Sequence, residues 1–225
     1  MKKPVIFCDF DGTITENDNI ISIMKRFDPP GWKQLVDDCF AGKITLQAAV
    51  GGMFALLPSS LKEEIVSFVN DQIRIRAGFP ELLAYCQEHD ITFIVTSGGI
   101  DFFVYPTLEP YGIEPSRIHC NGSDFSGEHI RILWPHECGD VCEQKGCGMC
   151  KPTIIGTYPA DRYERIMIGD SISDFAAAKV ADTIFARSHL AERCEQLGVP
   201  FYRYETFHEV VSQLEAHLER AGASR

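Results

Sequence analysis

The chain has 225 residues, 45% of them hydrophobic, and its 21 lysines and arginines face 32 aspartates and glutamates for a formal net charge of −11. That acidity argues against nucleic acid or an anionic membrane surface as partner, and no stretch reaches the roughly 20 apolar residues of a membrane span. The apolar run after Met1-Lys2-Lys3-Pro4 is too short for a signal peptide, so a cytoplasmic protein is expected.

The first element, Val5-Ile6-Phe7-Cys8, reads as a buried strand of a parallel sheet and stops at Asp9-Phe10-Asp11-Gly12-Thr13. Ligands of α/β proteins collect beyond the carboxyl ends of such strands. Strand alternation continued through Phe10 would hold Asp9 and Asp11 on one side. Two carboxylates that close repel unless a cation or a shared proton offsets them, so a divalent metal is expected. Taken alone, Asp-Gly also ends strands in plain turns.

From residue 15 to 76 there is no strand-like run. Helical patterns recur over 19–27, 32–40, 45–56 and 60–73, separated by Pro29-Pro30, Gly42 and Pro58. This reads as a helical unit, 15–76, inserted into a core formed by 1–14 and 77–225. Its Ile20, Ile21, Met24, Phe40, Met53 and Phe54 are expected to shelter an apolar part of a ligand.

Phe79-Pro80-Glu81 opens a helix to about residue 89, with Pro80 in its first turn. A second apolar strand, 91–95, follows and ends in Thr96-Ser97-Gly98-Gly99. A hydroxyl and closely approaching amides at such a point can cradle phosphate oxygens, although Ser-Gly-Gly is also an ordinary loop. Segments 117–121 and 128–134 read as two strands about a glycine-containing turn.

The next segment is unusual: Cys138-x₃-Cys142-x₄-Cys147-x₂-Cys150, interleaved with Gly139, Gly146 and Gly148. Four thiolates can bind Zn²⁺ tetrahedrally. Reduced thiols packing a loop remain an alternative, as do disulfides, which a reducing cytosol disfavours. Cys150 runs into Lys151, Pro152 and a helical pattern over 153–158, placing a positive charge near anion-attracting amides.

A further strand, 165–168, ends in Gly169-Asp170-Ser171-Ile172-Ser173-Asp174, where Asp174 also suits a helix cap. Helix 175–180, strand 183–186, helix 190–197, strand 201–204 and helix 206–220 complete the chain, the last with Phe207, Val210, Val211, Leu214 and Leu218 facing a core.

D-x-D-G-T, T-S-G-G, a spaced lysine and G-D-x-x-x-D, in that order from Asp9 to Asp174, resemble the four motifs of the haloacid dehalogenase superfamily. The resemblance implies an α/β fold: a doubly wound, Rossmann-like parallel sheet with a helical cap inserted after the first strand. It implies Asp9 as a nucleophile that forms an aspartyl-phosphate and Asp11 as the proton donor and acceptor. Ser97, Gly98 and Lys151 would hold the phosphoryl oxygens. Mg²⁺ would be held by Asp9, Asp11 through its backbone carbonyl, and Asp170, with Asp174 a water-mediated ligand or the residue orienting Asp170.

An acid at position 11 favours phosphatase or phosphomutase over the dehalogenase branch, which lacks it. The cap position and V-T-S-G-G resemble the phosphoserine-phosphatase-like branch, in which Asp18 occupies the place of an acidic substrate contact. The chain departs from that branch at G-D-S-I-S-D and in the cysteine segment. E-C-G-D-V-C and C-G-M-C-K resemble instead the methionine-salvage phosphatases that act on an enol-phosphate. Mg²⁺-dependent hydrolysis of a small phosphorylated metabolite is therefore expected. Phosphoserine or another small ester, a phosphomutase reaction, and a metal-knuckle interaction module on a retired scaffold are the rival readings; oligomeric state stays open.

Overall fold

The computed structural model describes residues 2–223. The chain enters as β1 (Lys3–Cys8), passes through four helices, α1 (Asn19–Phe27), α2 (Trp32–Phe40), α3 (Leu46–Ala55) and α4 (Lys62–Gln72), and returns through α5 (Phe79–Glu88) to β2 (Thr92–Ile100). Then follow α6 (Asp101–Leu108), β3 (Ile118–Asp124), β4 (Arg131–Leu133), α7 (Lys151–Gly156), β5 (Tyr163–Gly169), α8 (Phe175–Ala178), β6 (Thr183–Ala186), α9 (Ser188–Leu197), β7 (Tyr202–Arg203) and α10 (Phe207–Ala223).

The strands form one sheet in the order β4-β3-β2-β1-β5-β6-β7, parallel throughout except for the antiparallel pair β3 and β4. β1 lies between β2 and β5, so the winding reverses beside it, and the crevice at its carboxyl end is the place where such folds bind ligands. Both faces of β1 are covered. Ile6 and Cys8 pack with Phe79, Leu82, Val210 and Leu214 from α5 and α10, while Val5 and Phe7 pack with Ile155 of α7 and Ala177 of α8. Each fully buried Val, Ile or Phe contributes about 1.5–3 kcal/mol, which is why this strand reads as an unbroken apolar run.

The four helices leave the sheet at Thr15 and rejoin it at Ile75, and these two residues form an antiparallel bridge. Flanking bonds tie the two chains together, Glu16 N to Arg74 O and Arg76 N to Ile14 O, both at 2.9 Å. Local chemistry starts the helices: Asp18 accepts from the Ile21 amide at 2.9 Å, and Thr45 from the Ala48 amide at 3.1 Å.

Ile20, Met24, Met53 and Phe54 join Ile100 and Phe103 in one continuous apolar cluster, with Ile21 packed against it, whereas Phe40 is 81% exposed. The strand expected over 128–134 shrinks to Arg131–Leu133, because Glu128 O is taken by the Ser59 amide and Ile130 N by Leu57 O. Helix α6 was not foreseen from sequence: Pro106 lies inside it, and apolar residues run along it without periodicity, Phe103, Val104 and Leu108 being buried.

Candidate active site

β1 ends at Cys8, and residues 10–14 make a wide turn in which Asp11 is extended and Gly12 adopts φ +78°. Strand alternation therefore does not continue through Phe10, as expected from sequence, and the turn sends the Asp9 and Asp11 carboxylates to different partners. Asp9 remains at the strand mouth, its amide bonded to Ile168 O of β5 at 2.9 Å. Asp11 swings toward the helical insertion, where Asn19 donates to its Oδ1 from the backbone at 3.0 Å and from the side chain at 2.6 Å.

Four charged groups from three separate segments of the chain meet at this mouth. One oxygen from each of Asp9, Asp170 and Asp174 lies within 4.8 Å of the others. Lys151, the first residue of α7, places Nζ 2.7 Å from Asp9 Oδ1 and also donates to Asp174 Oδ1. Asp174 is fully engaged, since its Oδ2 accepts from the amides of Asp170 and Ser171 at 3.1 and 3.0 Å and from Ser171 Oγ at 3.1 Å. Asp170 Oδ1 accepts from Thr13 Oγ1 at 3.0 Å.

These contacts leave no room for side chains on two glycines. A Cβ on Gly12 would fall 2.4 Å from Asp170 Oδ2, and one on Gly169 would fall 2.6 Å from Asp174 Cγ. The Ser97 hydroxyl is fully buried and accepts from the Gly99 amide at 2.8 Å. It borders the same space as Asp11: a Cβ on Gly99 would lie 2.7 Å from Asp11 Oδ2 and 2.9 Å from Ser97 Oγ. Gly98 is held by its carbonyl, which accepts from Asn121 Nδ2 at 2.7 Å.

Electrostatics follow from this crowding. Burial, reinforced by Asp174 and Asp170, pushes the Asp9 carboxyl well up despite the opposing pull of Lys151. Asp170 rises to about 6 through burial and Asp174, against the Thr13 hydrogen bond. Asp11 rises to about 7 through burial and the Asp18 carboxylate, against the Asn19 bonds. Burial alone would lower Lys151, but Asp174 and Asp9 override it and hold the ammonium protonated. Two buried carboxylates and the half-buried Asp170 against a single ammonium crowd acidic groups that a divalent cation offsets. Asp9 and Asp170, each with an oxygen outside the hydrogen bonds above, are the hard donors such an ion takes.

Sequence reading missed the groups that fix the turn. Arg76, 7% exposed, donates from Nε to Thr13 O and from an Nη to Gly12 O, both at 2.8 Å. Arg187 donates to the same Gly12 carbonyl at 3.0 Å. Nothing local marks either arginine, because their partners lie about 60 and 175 residues away along the chain. Asp18 is brought near Asp11, yet its carboxylate is occupied in capping α1. Cys138, Cys142, Cys147 and Cys150 converge on a separate point, ahead of Lys151, with all four sulfurs within 4.8 Å of one another.

A doubly wound sheet with paired acids at the mouth of its central strand defines a hydrolase of one family: residues 6–179 match the model of the haloacid dehalogenase-like hydrolases, and the chain belongs to that family. Among relatives, it is 54% identical to a 2-hydroxy-3-keto-5-methylthiopentenyl-1-phosphate phosphatase of Geobacillus kaustophilus, over 95% of this chain and 96% of that one. It is 50% identical to the phosphatase of the same name from Brevibacillus brevis, again over 95% and 96% of the two chains. A substrate-bound phosphoserine phosphatase has the same fold, with a TM-score of 0.69 at 19% identity over 95% of this chain and 99% of that one.

Proposed function

We propose that the chain is a Mg²⁺-dependent phosphatase that removes phosphate from 2-hydroxy-3-keto-5-methylthiopentenyl-1-phosphate, a step of methionine salvage, through an aspartyl-phosphate on Asp9. The observation that carries the reaction class is the convergence of Asp9, Lys151, Asp170 and Asp174 at the mouth of β1. The substrate rests on identity of about one half to phosphatases of that name across nearly the whole chain.

In this reading Lys151 holds one oxygen of Asp9 and leaves the other to attack phosphorus. As the bond from Asp9 to phosphorus forms, the bond from phosphorus to the ester oxygen breaks, and Asp11, held near neutrality by its surroundings, passes a proton to the departing enol oxygen. Asp11 then takes a proton from water, which displaces Asp9 from phosphorus and releases inorganic phosphate. Ser97, the Gly98 region and Lys151 hold the phosphoryl oxygens in both steps. Asp9, the Asp11 carbonyl and Asp170 would hold Mg²⁺, which supplies charge neutralisation between an anionic nucleophile and an anionic ester. Asp174, with both oxygens already bonded, acts as the residue that positions Asp170 and Lys151. The helical unit 15–76 serves as a cap whose contact with Asp11 runs through Asn19. A reducing, cytoplasmic setting suits a chain whose nine cysteines are all unpaired.

The test is phosphate release from the enol-phosphate and from phosphoserine, side by side, with and without Mg²⁺. Higher kcat/KM for the enol-phosphate, dependent on Mg²⁺, is expected; preference for phosphoserine overturns the substrate assignment.

A further inference from the structure

Residues 134–150, between β4 and α7, contain no helix or strand. A connection of that length needs something other than backbone ladders to hold it. Apolar packing supplies little here, because the buried residues of the segment are only Cys142, Gly148, Met149 and Cys150. What the segment does build is a sulfur cage. Left-handed turns at Lys145, Gly146 and Gly148, with φ of 50°, 68° and 79°, fold it back on itself. All four cysteine sulfurs then lie within 4.8 Å of one another, and those of Cys142 and Cys147 are 3.6 Å apart.

A tetrahedral zinc thiolate with Zn–S of about 2.3 Å sets its sulfurs ~3.8 Å apart. Disulfide bonding would pull them to about 2 Å. Donors are aimed at the sulfurs as well: the amides of Lys145 and Gln144 at Cys142, and Thr153 Oγ1 at Cys150 at 3.0 Å. Such outer bonds orient metal-bound thiolates and stabilise their charge.

The cage sits between two features of the site. On one side Cys150 directly precedes Lys151, and its amide is bonded to His136 O at 3.1 Å. On the other, Gly146 O accepts from the Gln47 amide at 3.0 Å, at the start of α3, so closely that a Cβ on Gly146 would meet Thr45 at 2.6 Å. We propose that Cys138, Cys142, Cys147 and Cys150 bind one Zn²⁺ as a tetrathiolate, and that this ion ties the backbone carrying Lys151 to the first turn of α3. Four protein ligands leave no open coordination position, so the ion is structural and takes no part in bond making. The ammonium of Lys151 is placed at Asp9 because its backbone is anchored one residue away.

The test begins with the full-length protein, purified without chelator and analysed for metals. One zinc per chain is expected. Exchange for Co²⁺ should give the visible and charge-transfer bands of a tetrahedral thiolate site, and removal of zinc should lower the thermal midpoint. Cys138→Ser and Cys147→Ser should lose the zinc while Cys39→Ser, outside the segment, keeps it. Absent zinc after incubation with excess Zn²⁺, iron in its place, or unchanged zinc in the serine variants would overturn the proposal. Metal content and the cobalt spectrum are read without turnover, so they stand or fall separately from the phosphatase reading and need no variant to fold.

Discussion

The ammonium of Lys151 lies 2.7 Å from Asp9 Oδ1 with both side chains almost wholly buried, so the nucleophile proposed here is held by an ion pair away from water. Removing the cation would leave Asp9 and Asp174 buried together. Lys151→Met is predicted to lower stability by about 3–5 kcal/mol and kcat by at least about 100-fold. Urea unfolding and phosphate release measure the two effects; a variant as stable and active as the parent would refute the role.

Asp9→Asn keeps the size and polarity of the side chain while removing its charge and nucleophilicity. The prediction is loss of turnover and of any acid-stable phosphoenzyme, with circular dichroism unchanged. Substantial hydrolysis by the purified variant would transfer the nucleophile's role elsewhere.

Weak binding of Mg²⁺ lets it be withdrawn without a chelator that would also take zinc. Exhaustive exchange into Mg²⁺-free buffer is predicted to abolish phosphate release, and added Mg²⁺ to restore it. Full activity without divalent ions would exclude the metal role assigned to Asp9 and Asp170.

Gly12 and Gly112 both have positive φ, +78° and +67°, but only Gly12 has a neighbour within 4 Å of a Cβ, namely Asp170. Alanine at either position is predicted to cost about 1 kcal/mol or more in backbone strain. Gly12→Ala should in addition displace Asp170 and cut kcat, whereas Gly112→Ala should leave kcat intact. Equal activities in the two variants would show that the close approach is unimportant.

Asp182 accepts from the Arg165 amide and Nε at 2.9 Å each and from an Nη at 3.0 Å. Burial raises its carboxyl, but the Arg165 bonds override burial and hold it below the ordinary carboxylate value. A carboxylate depressed in the folded state adds stability above its unfolded pKa, about 4, and loses it as pH falls through the lower folded value. Asp182→Asn is therefore predicted to be less stable than the parent by about 1 kcal/mol at pH 7, a figure kept small because the pair is partly solvated. That difference should hold down to pH 5 and narrow below pH 4. Urea midpoints across this range check the sign; a gap that widens on acidification would contradict it.

Much of the sheet was legible because its strands are buried on both faces: 5–8, 93–95, 166–168 and 184–186 carry unbroken apolar runs that alternate with helical patterns. Asp9 and Asp170 were legible for a related reason, since each stands at the end of such a run, whereas Lys151, which opens a helix after the cysteine segment, and Asp174 joined them only through the resemblance of the four motifs. Arg76 and Arg187 were not legible, because their bonds to Gly12 depend on which distant turn the fold brings beneath them. Asp18 was read from sequence only as a substrate contact, and the helix cap it makes with Ile21 was not. Helix α6 was hidden by Pro106 and by apolar residues along both of its sides.

The bridge between Thr15 and Ile75 gives the helical insertion a strap only one residue pair wide. At its root, Arg76 is fastened to the carbonyls of Gly12 and Thr13. A tug on the insertion thus reaches the backbone that carries Asp11 directly, with no slack tether to absorb it.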